Sequence, residues 1–201
     1  MKRLVLASAS PRRKALLAAL GLVFDVLPAD IEEQLIGNPQ DIAIQNAREK
    51  CEFACKQATE PAVVIAADTL VFLDSQILGK PKDLSEARRM LSFLSGKTHS
   101  VITGLAVGDL EKKQILTDYE ITKVTFRVLS PKEIDVFVDV VNPLDRAGAY
   151  TVDGPGSLLV ERYEGCFYNV LGLPIVRLDC LLKKLGMSLF DEMKAEDAKF
   201  L

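Results

Sequence analysis

From residue 62 to residue 67 the chain reads Ala-Val-Val-Ile-Ala-Ala, meets Asp68, and resumes with Thr69-Leu70-Val71-Phe72-Leu73. A run of this composition reads as buried β-structure, and an unpaired charge inside it would cost several kcal/mol. A metal ion, a lysine, or a substrate bringing its own cation would compensate that charge. The competing reading is a turn, with Asp68 separating two short strands, because acidic residues often mark strand ends.

With 201 residues, the chain can build one sizeable core, or two small lobes sharing one. A formal charge of −3 and a pI near 5.3 argue against a nucleic-acid partner, since net positive charge supplies most non-specific affinity for nucleic acid. No apolar run approaches the roughly 20 residues that span a bilayer. The N-terminus opens with a strand-like Leu4-Val5-Leu6 instead of a signal peptide, so a cytoplasmic protein with no membrane partner is expected. Four cysteines do not make a disulfide framework in a chain of this size. Cys51 and Cys55 stand four apart on an expected helix, but no CxxC accompanies them and His99 is the only histidine. Buried thiols packing as small apolar groups is therefore the expectation, not zinc. Any catalytic metal would take carboxylate and phosphate ligands, the chemistry of Mg²⁺ or Mn²⁺.

Strand and helix patterns alternate in the first half. Strands are expected over 4–7 and 23–27, with a helix between them opened by Ser10-Pro11 and running to residue 20. A polar loop covers 30–39 and an amphipathic helix 40–57, followed by the paired strands 62–68 and 70–73 and a turn at Asp74-Ser75. Asp83 and Glu86 frame a capping box for a helix ending near Leu94, and Ser130-Pro131-Lys132-Glu133 frame another for a helix to Val141. Alternating strand patterns occupy 100–107, 114–129 and 157–163, and a helix closes the chain over 174–185. The expectation is an elongated mixed α/β sheet with helices on its faces and two lobes around a central cleft, as one domain over 1–190. Residues 191–201 read as a loosely attached tail.

Several charged, turn-punctuated clusters suit phosphate chemistry. Ser8-Ala9-Ser10-Pro11-Arg12-Arg13-Lys14 joins a strand end to a helix start, packing two hydroxyls, a helix N-terminus and three cations together. Glu32-Glu33 follow the second strand, Lys50 lies on the next helix, and Gly79-Lys80-Pro81-Lys82 fix a lysine in a turn. Ser95-Gly96-Lys97-Thr98-His99, Asp145-Arg146-Ala147-Gly148-Ala149-Tyr150 and Asp153-Gly154-Pro155-Gly156 are similarly punctuated. Carboxylates, lysines and a basic helix start fit metal-assisted hydrolysis of a phosphoanhydride.

Leu6-Ala7-Ser8-Ala9-Ser10-Pro11-Arg12-Arg13, Ala67-Asp68-Thr69, Gly79-Lys80-Pro81, Leu94-Ser95-Gly96-Lys97-Thr98-His99, Pro143-Leu144-Asp145-Arg146-Ala147-Gly148-Ala149-Tyr150 and Gly172-Leu173-Pro174, in their order and spacing, resemble the Maf family of nucleoside triphosphate pyrophosphatases from about residue 4 to residue 185. The resemblance implies a fold related to the inosine triphosphatase-like folds, commonly as a homodimer. It implies cleavage of a nucleoside triphosphate substrate between its α and β phosphates, with a divalent cation. By position, Asp68 matches the family's proton acceptor, and Ser8, Arg13, Glu32, Lys50 and Lys80 match its phosphate- and metal-handling positions, with Asp68 and Glu32 as metal carboxylates. Arg12, Thr69 and Asp153 fall where the family tunes its choice of base. The first two resemble the dTTP- and UTP-acting branch; Asp153 departs from the Gln typical there. An ionised Asp is acceptor-only, whereas Gln offers both a donor and an acceptor to a pyrimidine edge.

The implied role is removal of particular nucleotides from the pool, with an association to arrest of cell division. The alternative is a nucleotide-sensing regulator without turnover. A sensor needs the cations but no carboxylate to activate water, so the Asp68, Lys50, Lys80 and Glu32 set favours the enzyme. A nucleic-acid-binding role for Arg12-Arg13-Lys14 is disfavoured by the acidic pI.

Overall fold

The computed structural model describes residues 2–58, 61–74 and 76–194. Its strands are β1 (Arg3–Leu6), β2 (Asp25–Val26), β3 (Ala62–Leu73), β4 (Gln76–Leu78), β5 (Thr98–Asp109), β6 (Gln114–Phe126) and β7 (Val160–Glu164). Its α-helices are α1 (Pro11–Ala19), α2 (Pro39–Gln57), α3 (Leu84–Leu94), α4 (Pro131–Val141), α5 (Phe167–Val170), α6 (Ile175–Lys184) and α7 (Leu189–Glu192). The strands form one mixed sheet in the order β2-β1-β3-β5-β6-β7, with β4 also paired to β3. Among the described residues, the parallel pairs are those of β1 with β2 and β3.

β3 is the axis of the molecule and runs unbroken through Asp68, which pairs with Gly104 of β5. The turn reading of Asp68 is thereby overturned: the carboxylate projects from mid-strand, and its compensation has to come from other elements. Side chains alternate across the sheet. Val63, Ile65, Ala67, Val71 and Leu73 enter the larger core with residues of α1, α3, α4 and α6. Ala62, Val64 and Ala66 meet Ala47, Cys51 and Ala54 of α2, and Leu70 meets its Ile42 and Ala43. One helix therefore covers one face, and the remaining long helices cover the other.

That single helix sits unusually close. A Cβ on Gly104 would lie 2.1 Å from the Ala43 carbonyl oxygen, and one on Gly108 would lie 2.9 Å from Cys51 Sγ. Bare backbone on β5 and small residues on α2 let the two touch. The two cysteines pack there as expected, Cys51 fully buried and Cys55 partly.

Local chemistry sets the helix starts. Asn38 caps α2 by accepting from the Gln40 and Asp41 amides, with Pro39 at the first position. Ser130 and Glu133 form the full capping box on α4. At α3 the box is displaced: Asp83 caps the Glu86 amide, while Glu86 reaches back to the amide of Lys82. The expected strand over 157–163 begins later, because residues 154–158 coil into a 3₁₀ turn. Here a Cβ on Gly156 would fall 1.8 Å from the Thr151 carbonyl oxygen. Just before the expected tail Leu189 is buried in α7, and within it the Lys194 amide donates to Gly21 O at 3.1 Å. Residues 195–201 and the Ser75 half of the expected turn lie outside the described residues; Asp74 takes φ 55 there. No described helix is long and apolar enough to cross a membrane.

Candidate active site

Two strands share the edge of β3 that faces away from β5. β1 pairs as far as Ile65 and β4 begins pairing at Val71, which leaves residues 66–70 without a strand neighbour on that side. Asp68 and Thr69 stand in this gap, on opposite faces of the strand. A cleft of about 370 Å³ opens over it. Its walls are the β1–α1 junction, the loop carrying Ala29 and Glu33, and the segments 145–152 and 170–172.

Asp68 turns towards α2 and is 3% exposed. Lys50 Nζ donates to Asp68 Oδ1 at 2.6 Å and to Glu33 Oε1 at 2.6 Å. Asn46, one helical turn before Lys50 and on the same face, donates from Nδ2 to Asp68 Oδ2 at 2.9 Å. Both carboxylate oxygens are thus held, and the buried charge is answered by a lysine. Removing one partner of such a pair typically costs about 3–5 kcal/mol, because it strands the other charge.

Thr69 turns the other way, towards Arg13. The buried guanidinium donates to Ser8 Oγ at 3.1 Å, Thr69 Oγ1 at 2.9 Å and Gly172 O at 2.8 Å. All three acceptors are neutral. Burial pushes the Arg13 pKa down, and Asp68 and Glu33 act across the cleft to raise it; an arginine stays charged nonetheless. Thr103 spends its one proton on Asn169 O at 3.0 Å, so in the 2.9 Å contact between the two hydroxyls Thr69 donates to Thr103 Oγ1. Gly172 adopts φ +101, and a Cβ there would lie 3.3 Å from Thr69 Oγ1. The carbonyl that receives Arg13 is therefore placed by a conformation suited to glycine.

The nine-residue helix α1 points its N-terminus at the same cleft. Ser10 at the cap makes no side-chain capping bond, and Pro11 follows, so the first-turn N–H groups are available to an anion. Arg12 lines the cleft without a hydrogen bond among the described residues, and partial burial together with Arg146 lowers its pKa. Lys80 is exposed, lines the same cleft, and makes no ion pair among the described residues.

A sequence model of the Maf-like protein family matches residues 3–185. The chain belongs to the Maf family. Among relatives, the dTTP/UTP pyrophosphatase of Caldicellulosiruptor bescii is 44% identical over 98% of this chain and 100% of its own length. The dTTP/UTP pyrophosphatases of Aquifex aeolicus and Bacillus cytotoxicus are 48% and 45% identical, each over 92% of this chain and 96% of their own. A looser likeness, TM-score 0.45 at 14% identity, covers 62% of this chain and 72% of the Staphylococcus aureus Ham1 protein.

Within this Maf chain the structure brings Ser8, Arg12, Arg13, Lys50, Asp68, Thr69 and Lys80 to one cleft. Glu32 is not among them. It is exposed and outside the lining, and its neighbour Glu33 takes the place beside Lys50. The loop there has no strand or helix geometry, so no periodicity distinguishes the two glutamates. Asp153 is exposed at the rim beyond the lining residues and accepts a hydrogen bond from the Thr151 hydroxyl, which does line the cleft. Sequence reasoning passed over Asn46, Thr103 and Thr151. Asn46 carried a usable signal, as a polar residue four before Lys50 on an otherwise apolar helix face.

Proposed function

We propose that this Maf protein is a nucleoside triphosphate pyrophosphatase, converting a nucleoside triphosphate and water to the monophosphate and pyrophosphate. The observation that carries the reading is the opposition of two groups across one strand: Asp68, Lys50 and Glu33 on one face, and Arg13 with the α1 N-terminus beside the other. Cations receive the polyphosphate, and a fixed carboxylate faces it. In the reaction the water oxygen bonds to the α-phosphorus, the bond to the bridging oxygen breaks, and pyrophosphate leaves with that electron pair. Asp68 accepts the water's proton, since each of its oxygens keeps a lone pair beyond the bond it already receives. Arg13, Lys80 and the helix start hold the phosphate chain and stabilise charge developing on the leaving group.

The donor set suits a divalent cation. Asp68 and Glu33 each place an oxygen 2.6 Å from Lys50 Nζ, so the two carboxylates meet at one point. No group of three His, Cys, Asp or Glu side chains able to hold a metal occurs among the described residues. Two carboxylates completed by substrate phosphate oxygens are the usual Mg²⁺ arrangement. Asp68 and Glu33 would hold Mg²⁺ or Mn²⁺, which would neutralise phosphate charge.

For the base, dTTP and UTP are the favoured substrates, supported by the relatives' activity and by Thr69 and Arg12 within the cleft. The deciding experiment is a nucleotide panel with Mg²⁺ or Mn²⁺ in ¹⁸O-water. Pyrophosphate and ¹⁸O-labelled monophosphate are expected. Diphosphate and orthophosphate as products would overturn the assignment.

A further inference from the structure

Residues 28–37 form the wall that delivers Glu33, yet this loop has little of its own to hold it. It contains no regular element, Leu35 is 48% exposed and Ile36 is 95% exposed, so apolar burial does not anchor it. Among the described residues, its hydrogen bonds to the rest of the protein end on two side chains of α2. Glu33 meets Lys50. Gln34 meets Asn46 twice, its amide donating to Oδ1 at 3.0 Å and its carbonyl accepting from Nδ2 at 3.1 Å. The second hydrogen of the same Nδ2 goes to Asp68.

Asn46 is fully buried, and these three bonds use both of its N–H groups and its carbonyl oxygen. It grips the N–H and the C=O of one residue, as a neighbouring strand would, and spends its remaining donor on the carboxylate. We infer that Asn46 is a positioning residue: it latches the 28–37 loop to α2 and fixes Asp68, so that Glu33 and Asp68 converge on Lys50 in one geometry. This rests on the pyrophosphatase reading for its catalytic consequence, but not for the latch itself. Asn46 touches neither nucleotide nor water in this account. It acts through the two carboxylates, so its loss should appear in turnover more than in substrate grip, which belongs to the cations on the other face of β3.

The test is Asn46→Leu, which keeps the branched four-atom outline and removes all three bonds, with Asn46→Ala as a second variant that favours the helix and admits water. Turnover should fall about 10- to 100-fold while KM changes by less than about threefold, the signature of misplaced reacting groups. In an Asp68→Asn background the added Asn46→Leu should cost far less than it does alone, since residues acting through one group are not additive. Exchange of the Gln34 amide, the loop N–H that Asn46 holds, should quicken by about tenfold or more in either folded variant. Unchanged turnover, a full multiplicative loss in the double variant, or unaltered exchange would each overturn the inference. The exchange readout needs no substrate. If the parent protein makes no monophosphate and pyrophosphate but the loop loosens in the variants, the activity reading falls and the latch stands.

Discussion

Asp68 and Thr69 are adjacent in sequence, lie in the same unpaired stretch of β3, and face opposite chemistries. On the Asp68 side every charge is answered on the spot, with one lysine between two carboxylates and an asparagine completing the shell. On the Thr69 side the arginine is held by two hydroxyls and a carbonyl, all neutral, so its geometry is fixed while its charge stays available. The first arrangement suits a group that must hold position and accept a proton. The second suits one that must attract an anion and keep it oriented. The alternation of a β-strand keeps the two from pairing directly, although the charge of Asp68 still reaches Arg13.

Asp68→Asn should produce the largest effect and tests the first half of the contrast. The amide cannot take the proton, so turnover should fall by about 10²-fold or more. The variant should fold with a stability loss of about 1–3 kcal/mol, less than the usual cost of breaking a buried pair because Lys50 keeps Glu33. Near-normal steady-state rates in a folded variant would remove Asp68 from the mechanism. Arg13→Lys tests the other half. An ammonium cannot reproduce a three-way fork, so kcat/KM should drop about 10- to 100-fold, carried mainly by KM. If kcat alone fell, the two faces would not divide the work as described. Lys80→Ala should lower kcat/KM by about tenfold or less and leave the melting temperature nearly unchanged, as expected of an exposed, unpaired side chain. A large loss of stability would make the Gly-Lys-Pro turn structural.

The smallest expected effect is at Asp153. Placed at the rim and already accepting from Thr151, it can influence the base only through one free oxygen and through Thr151. Asp153→Gln should tilt relative kcat/KM towards dTTP and UTP by about three- to tenfold, the worth of one partly solvated hydrogen bond. Metal dependence should be unaffected. An identical ranking across the nucleotide panel would show that the rim does not read the base.

Much of this was legible in the sequence. The apolar run with its embedded Asp68 marked the central strand and its need for a counter-charge, and Ser10-Pro11 marked the helix start facing the cleft. What escaped depended on packing between distant segments. Nothing local separates Glu32 from Glu33 in an irregular loop; the choice is made by Asn46, which grips Gln34 and so sets which glutamate reaches Lys50. The competing reading, a break at Asp68, fails for a related reason. A charge suggests a strand end only while its partners are unseen, and here they arrive from α2, let in by Gly104. The 3₁₀ turn at 154–158 likewise answers to a tight backbone approach at Gly156 that no propensity encodes.

The vacancy between β1 and β4 has one further consequence. It spans residues 66–70, roughly 17 Å of strand at about 3.3 Å per residue, and its limits are the ends of two hydrogen-bonded ladders instead of pliable loops. Such an aperture cannot breathe by fractions: lengthening β1 or β4 by one pairing narrows it by a whole rung, and anything less changes nothing. The length of ligand admitted over Asp68 is therefore set in discrete steps, while preferences at the rim near Asp153 can be adjusted continuously, one side chain at a time.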